Sequence, residues 1–245
     1  MVFVIQTEKG QISTDMGKAI VEAIDYQKWY NAENCSLLYR LQQHYKKIQE
    51  DEIPVGTIEW TERVSHVYIP ATNLPEEFQV APYVFRPIYI VDRDGLKALL
   101  KGTDGKRKLF IKSDTHAKAF HPIIAKKIEE VPMDTRYFCS EPVEIYAEWR
   151  LFFFRGEILD VKCYSGSWTE PLTLEEVKII KDVFHGAKMP YVAGTVDIAR
   201  TNYGIEWLEI HNFIACGLYG FDKPDKIIQM AYSAWKDITK EHNCK

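Results

Sequence analysis

A mixed α/β or α+β chain with a small N-terminal α/β subdomain is what the sequence predicts, on three observations. A short apolar run at residues 2–6 precedes a stretch with helical spacing at 15–24, a β-then-α opening. The middle of the chain is a series of short β-prone runs divided by turn residues. An amphipathic pattern then covers residues 224–240.

The opening run reads as a buried strand, and Ser13, Thr14 and Asp15 are capping candidates because their side-chain oxygens can accept from the free amides of a first helical turn. A second helical pattern covers 37–49, and the stretch 54–60 is expected to be a strand entered through a turn. Pro70, Pro75 and Pro82 interrupt an irregular stretch at 69–82, which sets the expected division into residues 1–75 and 76–245. Strands are expected at 84–91, at 108–112 after the Gly102 to Gly105 turn, and at 136–143. Runs at 148–154 and 157–164 flank Arg155-Gly156, the signature of a hairpin. A helix at 173–184, strands at 191–199 and 205–211, and a helix with Pro224 near its first turn complete the pattern. There is no internal repeat or low-complexity segment.

Composition narrows the class. With 46% hydrophobic and 13% aromatic residues, 245 residues supply an ample core. A net charge of −4 gives no bulk attraction to nucleic acid or anionic lipid, so neither partner is expected. The first apolar run meets Thr7, Glu8 and Lys9 at once and lacks the pattern of a signal peptide. No run approaches the ~20 apolar residues of a membrane helix. Cys35, Cys139, Cys163, Cys216 and Cys244 are scattered without a CxxC, which argues against a disulfide framework or zinc site and for a reducing, cytoplasmic compartment.

Binding a nucleoside triphosphate requires cations or amides for phosphate, oxygen ligands for magnesium and a dry slot for the base. Lys112, inside the apolar run Leu109-Phe-Ile-Lys-Ser113, either snorkels to a rim or faces a bound anion, and Arg86 has the same character. Lys118 follows in a loop with His116 and His121, where a solvated lysine is the alternative. Glu141 and Glu148 bracket a linker able to meet an adenine edge and ribose hydroxyls, or they are solvated surface acids. Arg150 offers a fork for phosphate or for a cross-strand ion pair. Asp197 and Glu209 lie among apolar residues, where an unpaired carboxylate is costly; a metal ion would compensate, and a wet strand face is the other reading. Strand period places Glu209 and His211 on one face and Asn212 on the other unless a bulge intervenes. Arg200 could meet a substrate carboxylate or form a surface ion pair.

The ordered set Arg86, Lys112, Glu141, Glu148, Arg150, Asp197 and Glu209 resembles the ATP-grasp superfamily, particularly its arginine-and-lysine clade of phage and bacterial proteins, over residues 54–221. The pieces that carry this are Pro54-Val-Gly-Thr-Ile-Glu59, Phe110-Ile-Lys112 followed by Lys118, Glu148-Trp-Arg150, and Glu209 leading into Cys216-Gly-Leu-Tyr-Gly220. The resemblance implies an ATP-grasp fold, two sheet-bearing lobes around a nucleotide cleft between 84–140 and 141–221. It implies Arg86, Lys112 and Lys118 on the phosphates, Glu141 and the Val143 backbone at adenine, Glu148 at ribose and Arg150 facing the phosphates. Asp197 and Glu209 would hold Mg2+, or Mn2+, with His211, Asn212 or water completing the shell. Two departures stand out: His211 takes the place of the usual asparagine two residues after the second acid, and the loop Ser113-Asp-Thr-His-Ala-Lys118 lacks glycines.

The implied activity is an ATP- and magnesium-dependent ligase joining a small-molecule or peptide carboxylate to an amine, or to a thiol, through an acyl phosphate. Lys112, Arg150 and Arg200 are the expected catalytic residues, and no side-chain nucleophile is required. Two other readings stay open. One is a nucleotide-binding regulatory protein with a degraded site. The other is a phage enzyme acting on a nucleotide or nucleic acid, with Trp149, Tyr164 and Trp168 stacking on bases. Leu218, Tyr219 and Phe221 could form a homodimer interface or belong to the core.

Overall fold

A computed structural model describes residues 1–30, 36–102, 107–116, 119–167 and 169–243. Lys118, Trp168, Cys35, Cys244 and most of the turn expected after Gly102 lie outside the described residues. Three four-stranded sheets organise the chain.

The first sheet centres on β1 (Val2–Glu8), whose Phe3, Val4 and Ile5 are fully buried. It pairs in parallel with β3 (Leu38–Gln42) and β4 (Glu52–Val55) and antiparallel with the short β2 (Gln11–Ile12). Helix α1 (Asp15–Tyr30) buries Met16, Gly17, Ile20, Ala23 and Ile24, the i, i+4, i+7, i+8 stripe of a core-facing helix. Gly17 is required there: a Cβ would lie 2.8 Å from Ile12 and 3.0 Å from Ile5. The helix expected at 37–49 is instead β3 followed by a turn. Gln42 Nε2 donates to the carbonyls of His44 and Lys46, so the side chain satisfies backbone that a helix would otherwise bond. The strand expected at 54–60 stops at Val55, because Thr57 caps α2 (Ile58–Ser65) by accepting from the Trp60 amide.

The second sheet has the order β5 (Ile88–Val91), β8 (Tyr137–Ser140), β6 (Leu109–Ser113), β7 (Ile123–Ala125), all antiparallel. The strand expected over 84–91 keeps only its second half. Asp92 then caps α3 (Arg93–Lys101), which covers this sheet through Leu96 and Leu100. The third sheet has the order β10 (Glu157–Ser165), β9 (Ile145–Phe154), β11 (Ala193–Thr201), β12 (Gly204–Asn212), also antiparallel.

Alternation divides β9 and β11 cleanly. Trp149, Leu151, Phe153, Val196 and Ile198 pack against Ile180 and Phe184 of α4 (Leu174–Gly186). Glu148, Arg150, Phe152, Thr195 and Asp197 take the other face. Near Phe152 that face is covered by α5 (Pro224–Asn243) and by Leu218 and Phe221, in one core with Phe3, Ile5, Ile20 and Ile24. Leu218 and Phe221 are thus core residues, which removes them from the interface reading, while Tyr219 is half exposed. Among the described residues no helix is long and apolar enough to cross a membrane.

Candidate active site

A cavity of about 390 Å³ lies between the second and third sheets. Phe110, Lys112 and Phe138 line one side, and Glu148, Asp197 and Glu209 the other. Glu141, Pro142 and Val143 of the linker form part of the wall, as does Arg86.

A β-bulge aims the acids. Asp197 pairs with Glu209, but Ile198 pairs with Trp207, so Leu208 is the extra residue on β12. Strict alternation would put Trp207 and Glu209 on one face. The bulge instead lets Trp207 enter the core under α4 while Glu209 lines the cavity with Asp197, and His211 presents a donor atom within 4.8 Å of both.

The acids arrive already partnered. Lys112 Nζ donates to Glu209 Oε1 at 2.5 Å and lies 4.9 Å from the centroid of the Phe138 ring. Arg150 Nε and Nη2 donate to the two oxygens of Asp197 at 2.7 Å each, and Nη1 donates to the Gly217 carbonyl at 3.1 Å. His211 Nε2 lies 2.9 Å from Glu209 Oε2 and 3.4 Å from Asp197 Oδ2, aligned with neither for a directed hydrogen bond. Burial opposes ionisation of both acids, but Arg150 and His211 outweigh it at Asp197, and Lys112 and His211 outweigh it at Glu209. Both carboxyls therefore titrate below their ordinary range. Burial likewise opposes the imidazolium of His211, and the two carboxylates overcome it, raising the pKa of the ring.

Asp197, Glu209 and His211 each present one donor atom within 4.8 Å of the others. Two carboxylates and an imidazole that lacks a directed partner fit a divalent cation, with Mn2+ suiting the nitrogen better than Mg2+. Asn212 does not join them. Its amide donates to the Ala234 carbonyl and accepts from the Ile214 amide, so both of its ends are engaged in the backbone beyond β12.

Arg86 lines the cavity but is anchored from behind. Its Nη1 lies 3.1 Å from Glu206 Oε2 in a pair that is almost fully buried. Glu206 also accepts from the amides of Phe85 and Arg86 at 2.6 and 3.2 Å and from the Thr201 hydroxyl at 3.2 Å. Sequence reasoning missed Glu206; its signal was an acid beside Ile205 and Trp207 in the same strand as Glu209. Glu148 accepts from Tyr164 at 3.0 Å, and Tyr164 stacks on Tyr219 with Arg150 beside both rings. Burial, then the Asp197 and Glu148 charges, push the Tyr164 hydroxyl pKa upward. Glu141 lies at the rim, 3.3 Å from Arg107.

Arg150 is absent from the cavity wall and orients Asp197, the cross-strand ion pair that the sequence left open. Arg200 is on the opposite face of β11. It grips Glu176 through two 2.7 Å hydrogen bonds and stacks on Trp149, which places it away from the cavity.

The architecture is that of an ATP-grasp protein. The chain superposes on a RimK domain protein ATP-grasp from Sphaerobacter thermophilus DSM 20745 with a TM-score of 0.57 and 9% identity, covering 97% of this chain and 98% of that one. D-cycloserine synthetase DcsG gives 0.53 and 13%, covering 97% and 100%. The D-alanine–D-alanine ligase of Bacillus anthracis gives 0.50 and 10%, covering 98% of each chain. These identities establish likeness of fold. Residues 84–229 match the ATP-grasp domain of the arginine-and-lysine clade, family 2, and the chain belongs to that family. No curated protein matches the sequence.

Proposed function

We propose that this protein is an ATP- and divalent-metal-dependent ligase that activates a carboxylate as an acyl phosphate and transfers the acyl group to an amine. The observation that carries the reading is the convergence of Lys112, Asp197 and Glu209 at one nucleotide-sized cavity, with His211 beside the two acids. Lys112 and Arg86 supply cationic wall for phosphates. Glu141 and the Val143 backbone, at the wall of the cavity, would take the base, and Glu148, held by Tyr164, the ribose hydroxyls. Asp197, Glu209 and His211 would hold the metal, which supplies Lewis-acid neutralisation of phosphate oxygens.

In the first step an oxygen of the substrate carboxylate forms a bond to the γ-phosphorus as the bond to the β,γ-bridging oxygen breaks, releasing ADP. In the second, the amine nitrogen bonds to the acyl carbon, the C–O bond to phosphate breaks, and the nitrogen gives up a proton. Lys112 offsets the charge on the transferring phosphoryl group, and Arg150 keeps Asp197 in one orientation. ADP release with paired carboxylates and amines tests this: it is expected from the wild type and lost in Lys112→Ala and Glu209→Gln. Because Lys112 and Arg150 already neutralise the two acids, a nucleotide-binding regulatory protein without turnover is the second reading. Binding of ATP without ADP release across such a screen would favour it.

A further inference from the structure

Behind His211 lies a second cavity, of about 140 Å³, separate from the nucleotide-sized one. It is enclosed by Ile58 of α2, the connection at 68–72, the end of β12 and Ile238 of α5. Most of its wall is apolar: Ile69, Pro70, Ala71, Ile214 and Ala215 join the two isoleucines. Its polar lining consists of Asp237, His211, Asn212, Thr72 and two tyrosines, and no lysine or arginine contributes among the described residues. Thr72 Oγ1 donates to Glu209 Oε2 at 3.4 Å, so one wall of this cavity is bonded to the acid cluster.

The charge of this lining selects its occupant. A carboxylate here would face Asp237, and the lining group able to carry positive charge, the His211 imidazole, is already committed to Asp197 and Glu209, so its burial would be costly. An ammonium would meet a carboxylate. Asp237 Oδ2 accepts the Val192 amide at 3.0 Å, a bond that holds the carboxylate at the cavity wall. The volume is well below that of a drug-sized pocket, which limits the occupant to a small molecule or a single side chain.

We infer that this cavity binds the amine substrate, a small primary amine with a short apolar body, and that Asp237 receives its nitrogen. The inference rests on the ligase reading for the word substrate, but not for the binding. It assigns the carboxylate donor to a different approach. Asp237 is also the lining carboxylate able to take the proton that the nitrogen loses before it attacks.

Butylamine and butyrate share an apolar body and differ in charge, so they make a matched pair of probes. Binding of each to the full chain is measured by ligand-observed NMR, with and without ATP and magnesium, for the wild type, Asp237→Asn and Ala71→Leu. The Asn variant keeps an acceptor for the Val192 amide, and the Leu variant fills the cavity without touching Asp237. The wild type is expected to bind butylamine at least tenfold more tightly than butyrate, and each variant to lose at least tenfold in butylamine affinity. Both variants are expected to keep the thermal shift produced by ATP and magnesium. Equal or tighter binding of butyrate, or undiminished butylamine binding in Asp237→Asn, overturns the inference. Butylamine binding without any ATP-induced shift upholds the amine site and removes the ligase reading; an ATP shift without butylamine binding does the reverse.

Discussion

Arg150 and Asp197 stand opposite each other in the β9–β11 register and are joined by two hydrogen bonds of 2.7 Å, so the acid is oriented before any ligand arrives. Lysine in place of Arg150 keeps the charge but loses the fork. Arg150→Lys is expected to weaken Mn2+ binding about tenfold, the lower end of what loss of a supporting partner does at metal sites. Counting free Mn2+ by electron paramagnetic resonance checks this, and an unchanged affinity would deny Arg150 its orienting role.

Glu206 is fully buried against Arg86, and it also holds two backbone amides. Glu206→Gln keeps an acceptor for those amides while removing the charge facing the guanidinium. Leaving a buried cation unpaired costs about 3 kcal/mol. Urea unfolding midpoints should report a loss of that order, and a loss under about 1 kcal/mol would show that Arg86 finds compensation elsewhere.

The Arg200 fork holds the Glu176 carboxyl down to about 2 from the ordinary 4.5. A depressed carboxylate pKa contributes stability that is complete above pH 4.5 and lost as pH falls through about 2. The stability gap between wild type and Glu176→Gln is expected to be about 1–2 kcal/mol at pH 7, discounted for solvent screening. Chemical denaturation at stepped pH should show that gap narrowing only below pH 4.5. A gap that stays flat down to about pH 3 would contradict the assignment.

Burial pushes the thiols of Cys139 and Cys216 up to about 12, whereas Cys163 is exposed. A thiol-directed reagent at about pH 8 is therefore expected to label Cys163 rapidly and to spare Cys139 and Cys216 until the chain unfolds, as peptide mapping would reveal. Rapid labelling of Cys216 in the folded protein would mean that the core between β12 and α5 opens readily.

Much of this was legible from alternation. The β9–β10 hairpin follows from Arg155-Gly156, and the nearness of Asp197 and Glu209 follows from two apolar strands that each carry one acid. Arg200 could have been set aside on the same ground, since three residues from Asp197 along a strand is the opposite face. The bulge at Leu208 was hidden, because an extra residue in one strand shows only against the register of its partner. Helices α2 and α3 were missed for a different reason: eight and nine residues give too short a period, and their caps, Thr57 and Asp92, resemble ordinary turn residues. Partnerships such as Arg86 with Glu206 and Asn212 with the Ala234 carbonyl join positions far apart in the chain, which no local pattern encodes.

Helices α1 and α5 share one core with the first sheet, although almost the whole chain separates them. A polypeptide emerging from the ribosome therefore makes β1 and α1 early, while Trp235 and Ile238 of the same core are synthesised only after all three sheets. The face of α1 that meets α5 is thus an open seam until α5 has been made.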